Sequence, residues 1–230
     1  MTAMILVGGA GTRLKSVVSD VPKPMAPIQG KPFLEYQIRY LRKQDFKDIV
    51  LLTGHMEEAI RDHFGDGSDL NVSITYSHEE KPLGTGGAIR QALEDSTDES
   101  VVVFNGDSIL LTDLHRFRRE ARAPITLAVH HEIDTARYGS VEIHGHRVVA
   151  FHEKNPAAGP GYVSSGIYFL DRKFYLNNTA GGKFSFESGF LPMQAAREEV
   201  YAVRCEGNFL DIGLPESFKQ AQSLIPRWVP

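Results

Sequence analysis

A glycine-rich loop near the start of the chain is followed by two basic residues. The loop, Gly8-Gly9-Ala10-Gly11, comes after the apolar run 4–7, which predicts a buried parallel strand. Because glycine permits backbone angles that other residues avoid, successive N–H groups of such a loop can point at an anion. Arg13 offers a fork of donors that suits phosphate oxygens, and Lys23 lies on a backbone stiffened by prolines on both sides. We therefore predict a triphosphate site in which Arg13 and Lys23 are the catalytic cations.

Other glycine-loop motifs fit this stretch less well. A dinucleotide-binding loop would follow the pattern G-x-G-x-x-G, but the third glycine is replaced by Leu14. A Walker loop needs G-x-x-x-x-G-K-[ST], and the sequence has no such string. An ordinary strand-to-helix turn remains the alternative at this point.

A second glycine-rich segment, 80–88, leads into a predicted helix at 89–93. Its small residues would let a flat ring lie against the backbone, whose polar groups can read the edge of a nucleobase. A plain loop-to-helix junction is the alternative.

A carboxylate follows the next predicted strand, at 101–104. Asp107 would then lie at the carboxyl end of a strand, where open α/β sheets bind ligands. Because Mg²⁺ prefers carboxylate and phosphate oxygens, Asp107 is a candidate metal ligand, with a helix or turn cap as the alternative.

Alternating strands and helices must position these residues in the first half of the chain. Apolar runs predict strands at 48–53 and 72–76, and helical spacing predicts helices at 32–43 and 57–64. This alternation implies parallel strands joined by right-handed crossovers. In the second half we predict strands at 125–129, 139–143, 148–151 and 165–170, then helices at 187–197 and 217–224. We therefore expect a single α/β domain, 1–230, with a mixed sheet.

Composition argues against several classes of function. The net charge of −4 gives no support for a nucleic-acid partner. No apolar run approaches the roughly 20 residues that span a bilayer, so we expect no membrane partner. The chain enters its first strand almost at once, which predicts no signal peptide, and the single Cys205 fits a reducing cytoplasm. The pair His144-Gly145-His146 falls at a predicted hairpin turn and is interpreted as surface.

The combined pattern resembles the signature of the sugar-1-phosphate nucleotidyltransferases, also called nucleoside-diphosphate-sugar pyrophosphorylases. Their pattern is G-G-x-G-T-R-L and then, after a spacer, P-K-P, and both parts occur here at 8–14 and 22–24. The resemblance implies a Rossmann-like three-layer α/β/α fold with a mixed, mainly parallel central sheet. It also implies a nucleotide-binding half at about 1–115 and a sugar-phosphate-binding half at about 116–230. Longer members continue into a left-handed β-helix of hexapeptide repeats; none occurs here, so we expect no C-terminal β-helix.

The same resemblance implies three groups of site residues. The nucleotide would contact Leu6, Gly8, Gly9, Ala10, Gly11, Thr12, Arg13, Lys23, Leu83, Gly84, Thr85, Gly86, Asn105 and Gly106. The sugar phosphate would contact Tyr138, Gly139, Glu153, Lys154, Ser165 and Gly166, with Lys154 on the phosphate and Glu153 on hydroxyls. Mg²⁺ would be held by Asp107 and Asp211, the second of which lies in a string similar to the family's W/F-x-D-[IV]-G-[TI]-P-E.

Two finer resemblances within the family bear on the substrates. The run 16–27 and the compact C-terminus are similar to D-glycero-α-D-manno-heptose-1-phosphate guanylyltransferases. They imply GTP and this heptose 1-phosphate as substrates and GDP-heptose, for cell-surface polysaccharide, as product. The run 62–70 is also similar to N-acetylmuramate-1-phosphate uridylyltransferases, and other hexose 1-phosphates stay open.

A nucleotide-sugar sensor or regulatory subunit is the alternative outside the enzymes. Pure binding does not need both metal carboxylates together with Arg13 and Lys23, which argues against it. The expected partners are therefore a nucleoside triphosphate and a sugar 1-phosphate, and a homodimer is an open alternative to a monomer.

Overall fold

The structure, a computed structural model, describes residues 1–9, 21–157 and 159–230. Its strands, in chain order, are β1 (Ala3–Leu6), β2 (Pro27–Ile28), β3 (Lys31–Pro32), β4 (Asp48–Thr53), β5 (Ser73–His78), β6 (Ser100–Asn105), β7 (Ser108–Leu111), β8 (Ile125–Glu132), β9 (Ser140–His144), β10 (Arg147–His152), β11 (Gly161–Asp171), β12 (Val200–Arg204) and β13 (Asn208–Asp211).

The helices, in chain order, are α1 (Phe33–Lys43), α2 (Glu57–Phe64), α3 (Gly84–Asp95), α4 (Leu114–Glu120), α5 (Arg172–Asn178), α6 (Leu191–Ala195) and α7 (Pro215–Trp228). Short 3₁₀ turns lie at Lys23–Met25 and Ser68–Leu70, and a π-helical turn lies at Phe186–Phe190.

Nine of the strands form the central sheet, in the order β5-β4-β1-β6-β11-β8-β12-β10-β9. Strand β1 pairs in parallel with β4 and β6, β4 with β5, and β8 with β12. Strand β11 runs antiparallel to β6 and β8, and β10 runs antiparallel to β12 and β9. Seven of the nine strands therefore run in one direction and β10 and β11 run in the other, so the sheet is mixed and mainly parallel, as the resemblance implied.

Helices cover both faces of this sheet. Alternation along β1 sends Ile5 into one apolar cluster and Met4 into another, because successive side chains of a strand point to opposite faces. The first cluster includes residues of α1, α2, α4 and α7, and the second includes residues of α3, α5 and α6. The expected three-layer α/β/α arrangement is confirmed.

Some predicted boundaries were wrong. Helix α3 begins at Gly84 rather than at residue 89, so the second glycine-rich segment is largely helical. The helix predicted at 187–197 is a π-helical turn followed by the five-residue α6, which begins next to Pro192, a residue without an N–H. The predicted hairpin turn is confirmed, with Gly145 at φ +65° between β9 and β10.

The last element of the described residues is α7, and these residues contain no left-handed β-helix. Among the described residues, no helix combines the length and the apolar character needed to cross a bilayer.

Strands β7 and β13 form a two-stranded antiparallel ribbon beside the main sheet. Asp211, at the end of β13, lies opposite Ser108, at the start of β7. Gly207, which precedes β13, has a φ of +145°, and a Cβ there would lie 1.9 Å from the carbonyl oxygen of Leu111. The ribbon can therefore form this closely only with glycine at position 207.

We expect Gly207→Ala to lower the free energy of unfolding by about 1–3 kcal/mol, the usual cost of overpacking. For a chain of this size, each kcal/mol lowers the thermal midpoint by roughly 2–4 °C. The matched control is Gly181→Ala, because a Cβ at Gly181 would meet nothing within 4 Å. Equal thermal midpoints for the two variants would contradict the prediction.

Candidate functional site

Two cavities meet at the carboxyl ends of the central strands. The first, of about 630 Å³, lies over the ends of β1, β5 and β6. The second, of about 490 Å³, lies beside it, between β9, β10, β11 and the start of α6. Asn105, Asp107 and Glu187 line both cavities. Ligands that occupied the two cavities would therefore meet at these three residues.

Most of the described residues predicted to bind the nucleotide line the first cavity. These are Leu6, Gly8, Gly9, Gly84, Thr85, Asn105 and Gly106. Lys23, Leu83 and Gly86 do not line it. Ala10, Gly11, Thr12 and Arg13 lie outside the described residues.

The glycines at the start of α3 accommodate a second protein segment. A Cβ on Gly86 would lie 2.1 Å from the ring of Phe184, and one on Gly84 would lie 2.5 Å from the carbonyl oxygen of Phe184. Gly86 N–H donates to that carbonyl at 3.0 Å, and Phe184 N–H donates to the carbonyl of Leu83 at 3.0 Å. The interpretation that small residues here admit a flat ring was therefore wrong at Gly86, whose open side is filled by Phe184.

Glu79 is a lining residue of the first cavity that sequence reasoning missed. Its Oε1 atom lies 3.0 Å from the position of a Cβ on Gly8 and 2.9 Å from that of a Cβ on Gly54, and Leu83 N–H donates to its Oε2 at 2.8 Å. Burial raises the pKa of the Glu79 carboxyl above its ordinary value of 4.5, and the Leu83 N–H partly opposes this. The sequence did contain a signal for Glu79, because this residue directly follows the strand β5, just as the candidate metal ligand Asp107 closely follows β6.

The two carboxylates predicted to bind metal lie at the same end of the β7–β13 ribbon. Ile212 N–H donates to the carbonyl of Asp107 at 2.9 Å, which joins the two segments by their backbones. Gly213 N–H donates to Asp211 Oδ1 at 2.8 Å and orients that side chain. Both aspartates line the second cavity. Residues that are far apart in the sequence are therefore neighbours here.

Cations accompany both carboxylates. Lys23 forms an ion pair with Asp107, and its Nζ lies 3.4 Å from the position of a Cβ on Gly213, beside Asp211. Arg137 donates to Asp211 Oδ2 at 3.3 Å, and its guanidinium lies 5.3 Å from the centre of the Tyr138 ring. Arg137 was not predicted from the sequence. Because the neighbouring carboxylates of Asp107 and Asp211 repel each other, the positive charges of Lys23 and Arg137 stabilise their placement.

The donor set fits Mg²⁺. Asp107 and Asp211 supply hard oxygen ligands, and the described residues contain no group of three or more His, Cys, Asp or Glu side chains that could hold a metal ion. Mg²⁺ in enzymes is commonly bound by one or two carboxylates together with substrate phosphates and water. Two aspartates beside a cavity of substrate size are sufficient for such a site.

The second cavity contains most of the residues predicted to bind a sugar phosphate: Tyr138, Gly139, Glu153, Lys154 and Gly166. Ser165 was expected among them, but it is 1 % exposed and its hydroxyl donates to the carbonyl of Ala128 at 2.9 Å. The neighbouring Ser164 lines the cavity instead. Ser165 therefore supports the wall from behind.

Glu187 was also missed as a site residue. Its Oε1 accepts hydrogen bonds from the hydroxyl of Tyr168 at 2.6 Å and from Nδ2 of Asn105 at 3.0 Å. Burial and the Glu187 charge raise the pKa of Tyr168 well above its ordinary value, so Tyr168 stays a hydrogen-bond donor. No local pattern could have found Glu187, because its partners lie on β6 and β11.

Comparison with known proteins shows similarity along nearly the whole chain. A family model described as "Nucleotidyl transferase" matches residues 2–227. The chain is 41 % identical over 232 residues to the D-glycero-alpha-D-manno-heptose 1-phosphate guanylyltransferase of Aneurinibacillus thermoaerophilus, with 100 % of each chain covered. It is 39 % identical to the protein of the same name from Campylobacter jejuni subsp. jejuni, with 95 % of this chain and 97 % of that one covered.

A solved structure is similar over the same extent. The crystal structure of HddC from Yersinia pseudotuberculosis complexed with GMP-PN matches with a TM-score of 0.87 at 35 % identity. The match covers 96 % of this chain and 97 % of that one.

The burial of Glu79 predicts a pH-dependent effect on stability. Because its pKa is raised in the folded protein, the unfolded chain ionises first as pH rises, and the folded state loses stability until its own pKa is passed. We expect Glu79→Gln to unfold like the parent at pH 4 and to be more stable than the parent at pH 8, by urea unfolding.

The control for this prediction is Glu206→Gln, which alters an exposed carboxylate between β12 and β13. Its stability relative to the parent should be the same at both pH values. A less stable Glu79→Gln at pH 8 would show that the protein stabilises this charge.

Proposed function

Because this chain belongs to the nucleotidyl transferase family, we propose that it transfers GMP from GTP to a sugar 1-phosphate and releases pyrophosphate. The favoured acceptor is D-glycero-α-D-manno-heptose 1-phosphate, on which two relatives with nearly full coverage are named as acting. One observation carries the proposal. Two cavities of substrate size adjoin at a cluster of two carboxylates and two cations, where the phosphates of a donor and an acceptor would meet.

The proposed reaction is an in-line displacement. An oxygen of the acceptor phosphate bonds to the α-phosphorus of GTP as the bond from that phosphorus to the bridging oxygen breaks, and pyrophosphate leaves. No protein nucleophile is needed, because the attacking phosphate is already anionic. Catalysis then consists of alignment and neutralisation of charge.

Named residues divide this work. Lys154, exposed in the second cavity, would bind the acceptor phosphate, and Glu153 would accept from sugar hydroxyls. Lys23 would move from Asp107 to the α-phosphate, and Arg13, outside the described residues, would stabilise the leaving pyrophosphate. Asp107 and Asp211 would hold Mg²⁺. The bound ion would draw charge from the phosphate oxygens.

The choice of guanine is supported by Glu79. Guanine presents two adjacent donors, its N1–H and its 2-amino group, to which the two oxygens of one carboxylate are matched. Uracil and thymine present one N–H between two carbonyls, and those carbonyls would face the carboxylate unpaired. Glu79 lies in the first cavity with one backbone donor, Leu83 N–H, which leaves acceptor capacity on both oxygens.

Other readings stay open to the same assays. An N-acetylmuramate or other hexose 1-phosphate would replace the heptose as acceptor, and a nucleotide-sugar sensor would bind without turnover.

The division of the chain at about residue 115 is proposed as functional only, since Lys183 and Glu187 reach the first cavity from the second half. The homodimer and the cytoplasmic location remain predictions.

Base choice is tested by the release of pyrophosphate with GTP, UTP, CTP and dTTP. We expect GTP to have the highest kcat/KM, and Glu79→Gln to lower kcat/KM for GTP by about 10- to 150-fold, the range for one hydrogen bond to a charged group. The same variant should raise kcat/KM for UTP, because an amide can donate to a uracil carbonyl. Glu206→Gln is the control, and a preference of the parent for UTP would contradict the proposal.

The metal assignment is tested with Asp107→Asn, Asp211→Asn and the double variant. Each single change should lower kcat on the order of 10²–10³-fold, the range for loss of one electrostatic stabiliser. The double variant should be little worse, because both residues act through one ion and such effects are not additive. Thermal midpoints should stay within about 4 °C of the parent, since partly exposed ion pairs contribute at most about 1 kcal/mol.

Asp69→Asn, which alters an exposed aspartate after α2, is the control for these variants and should keep the parent's kcat. Turnover that persists in excess chelator would overturn the metal assignment.

A further inference from the structure

Helix α1 carries an amide side chain into the interior. Gln37 is 2 % exposed, and its neighbours along the buried face of the helix include Phe33, Leu34 and Leu41. Buried positions on a helix of this kind are normally apolar. A polar side chain at position 37 therefore indicates a hydrogen-bonding partner that an apolar side chain could not bind.

The partner is the turn that carries Asp107. Nε2 of Gln37 donates to the carbonyl of Asn105 at 2.9 Å and to the carbonyl of Ser108 at 3.2 Å. The orientation of the amide follows from these partners, because only its nitrogen can donate to two carbonyls. Gln37 thus joins the residue two positions before Asp107 to the residue just after it.

The other end of the amide shows that this contact has an energetic cost. Oε1 of Gln37 is buried and has no hydrogen-bond partner among the described residues. An unpaired buried acceptor is destabilising, so stability alone would favour an apolar residue at this position. The advantage of glutamine must lie in what its nitrogen holds.

Two backbone contacts fix the rest of the turn. Gly106 N–H donates to the carbonyl of Leu6 at 3.1 Å, which ties the turn to the end of β1. Ile212 N–H donates to the carbonyl of Asp107 at 2.9 Å, which ties it to the segment of Asp211. Gln37 completes the set from the side of α1, so the backbone of the turn that carries Asp107 is held by three separate elements.

We propose that Gln37 is a positioning residue for Asp107. It holds the turn 105–108 so that the Asp107 carboxylate faces Lys23 and Asp211 at the junction of the two cavities. This inference rests on the proposed function, since the carboxylate it positions is the one assigned to Mg²⁺. Residues that orient metal ligands in this way commonly change metal affinity or activity by about 10- to 100-fold when replaced.

The test variant is Gln37→Met, which keeps an unbranched side chain of similar length and removes the donor. Its Mn²⁺ affinity is measured by electron paramagnetic resonance in the presence of α,β-methylene-GTP, which cannot release pyrophosphate. We expect the affinity to fall by about 10- to 100-fold. In turnover assays, kcat should fall by a similar factor while the KM for GTP changes by less than about threefold.

Gln194→Met is the matched control. Gln194 is a fully buried glutamine on α6 whose side-chain amide has no partner among the described residues. Its replacement should keep the Mn²⁺ affinity and kcat of the parent, whatever it does to the thermal midpoint. If Gln37→Met fails to fold, Gln37→Glu keeps the shape of the side chain and can donate at most one proton, so it should show the same loss.

A Gln37 variant that is folded and has the parent's Mn²⁺ affinity would overturn the inference. So would equal losses in the Gln37 and Gln194 variants, because these would indicate a general effect of the core. The resonance measurement needs no turnover and therefore judges Gln37 even if no sugar phosphate is accepted. The proposed function fails separately, if the parent releases no pyrophosphate with any acceptor.

Discussion

Charge balance at the β7–β13 ribbon is the constraint on which the site depends. The pairing of these strands sets Asp107 and Asp211 side by side, which is unfavourable unless cations lie close to them. Lys23 comes from the turn after the glycine loop, and Arg137 comes from the loop after β8. The balanced cluster therefore forms only when four distant segments have reached their final positions. The geometry of the site thus depends on the fold of the whole chain.

A second contact connects the two cavities. The segment around Phe184 docks on the start of α3, where the glycines leave room for it, and Phe186 N–H donates to the hydroxyl of Thr85 at 2.9 Å. The same segment carries Lys183 into the first cavity and Glu187 to the junction. A ligand that moved the start of α3 would therefore also move the wall of the second cavity. This geometry suits a reaction in which donor and acceptor must be aligned together.

The sequence predicted those features that depend on local pattern and strand order. The parallel strands and the position of Asp107 after β6 follow from periodicity and from where open sheets bind ligands, and the two cover layers follow from the family resemblance. The role of Gly86 was predicted wrongly. A glycine indicates that another group lies close to the backbone, but it does not indicate whether that group is a ligand or a side chain of the protein. The resemblance placed Ser165 at the sugar phosphate, but along β11 it is Ser164, Gly166 and Tyr168 that alternate into the second cavity, and Ser165 falls between them on the buried side.

Contacts between distant elements were beyond sequence reasoning. The bonds from Gln37 to the turn 105–108 and from Tyr168 to Glu187 join α1 to β6 and β11 to a π-helical turn. Neither pair leaves a trace in spacing or composition. Such residues become visible only when a structure shows which polar atoms are buried and which of these are paired.

The site is built from groups that weaken the fold around it. Burial of Glu79 disfavours its charged form and raises its pKa, the Oε1 of Gln37 has no partner among the described residues, and two aspartates line the same cavity. Each would be more favourable as an apolar or neutral residue if stability were the only demand. The apolar clusters on both faces of the sheet supply the stability that allows these groups to persist. The charged members of this set, Glu79, Asp107 and Asp211, line the two cavities, where hydrogen-bond donors or cations of a bound ligand would pair with them.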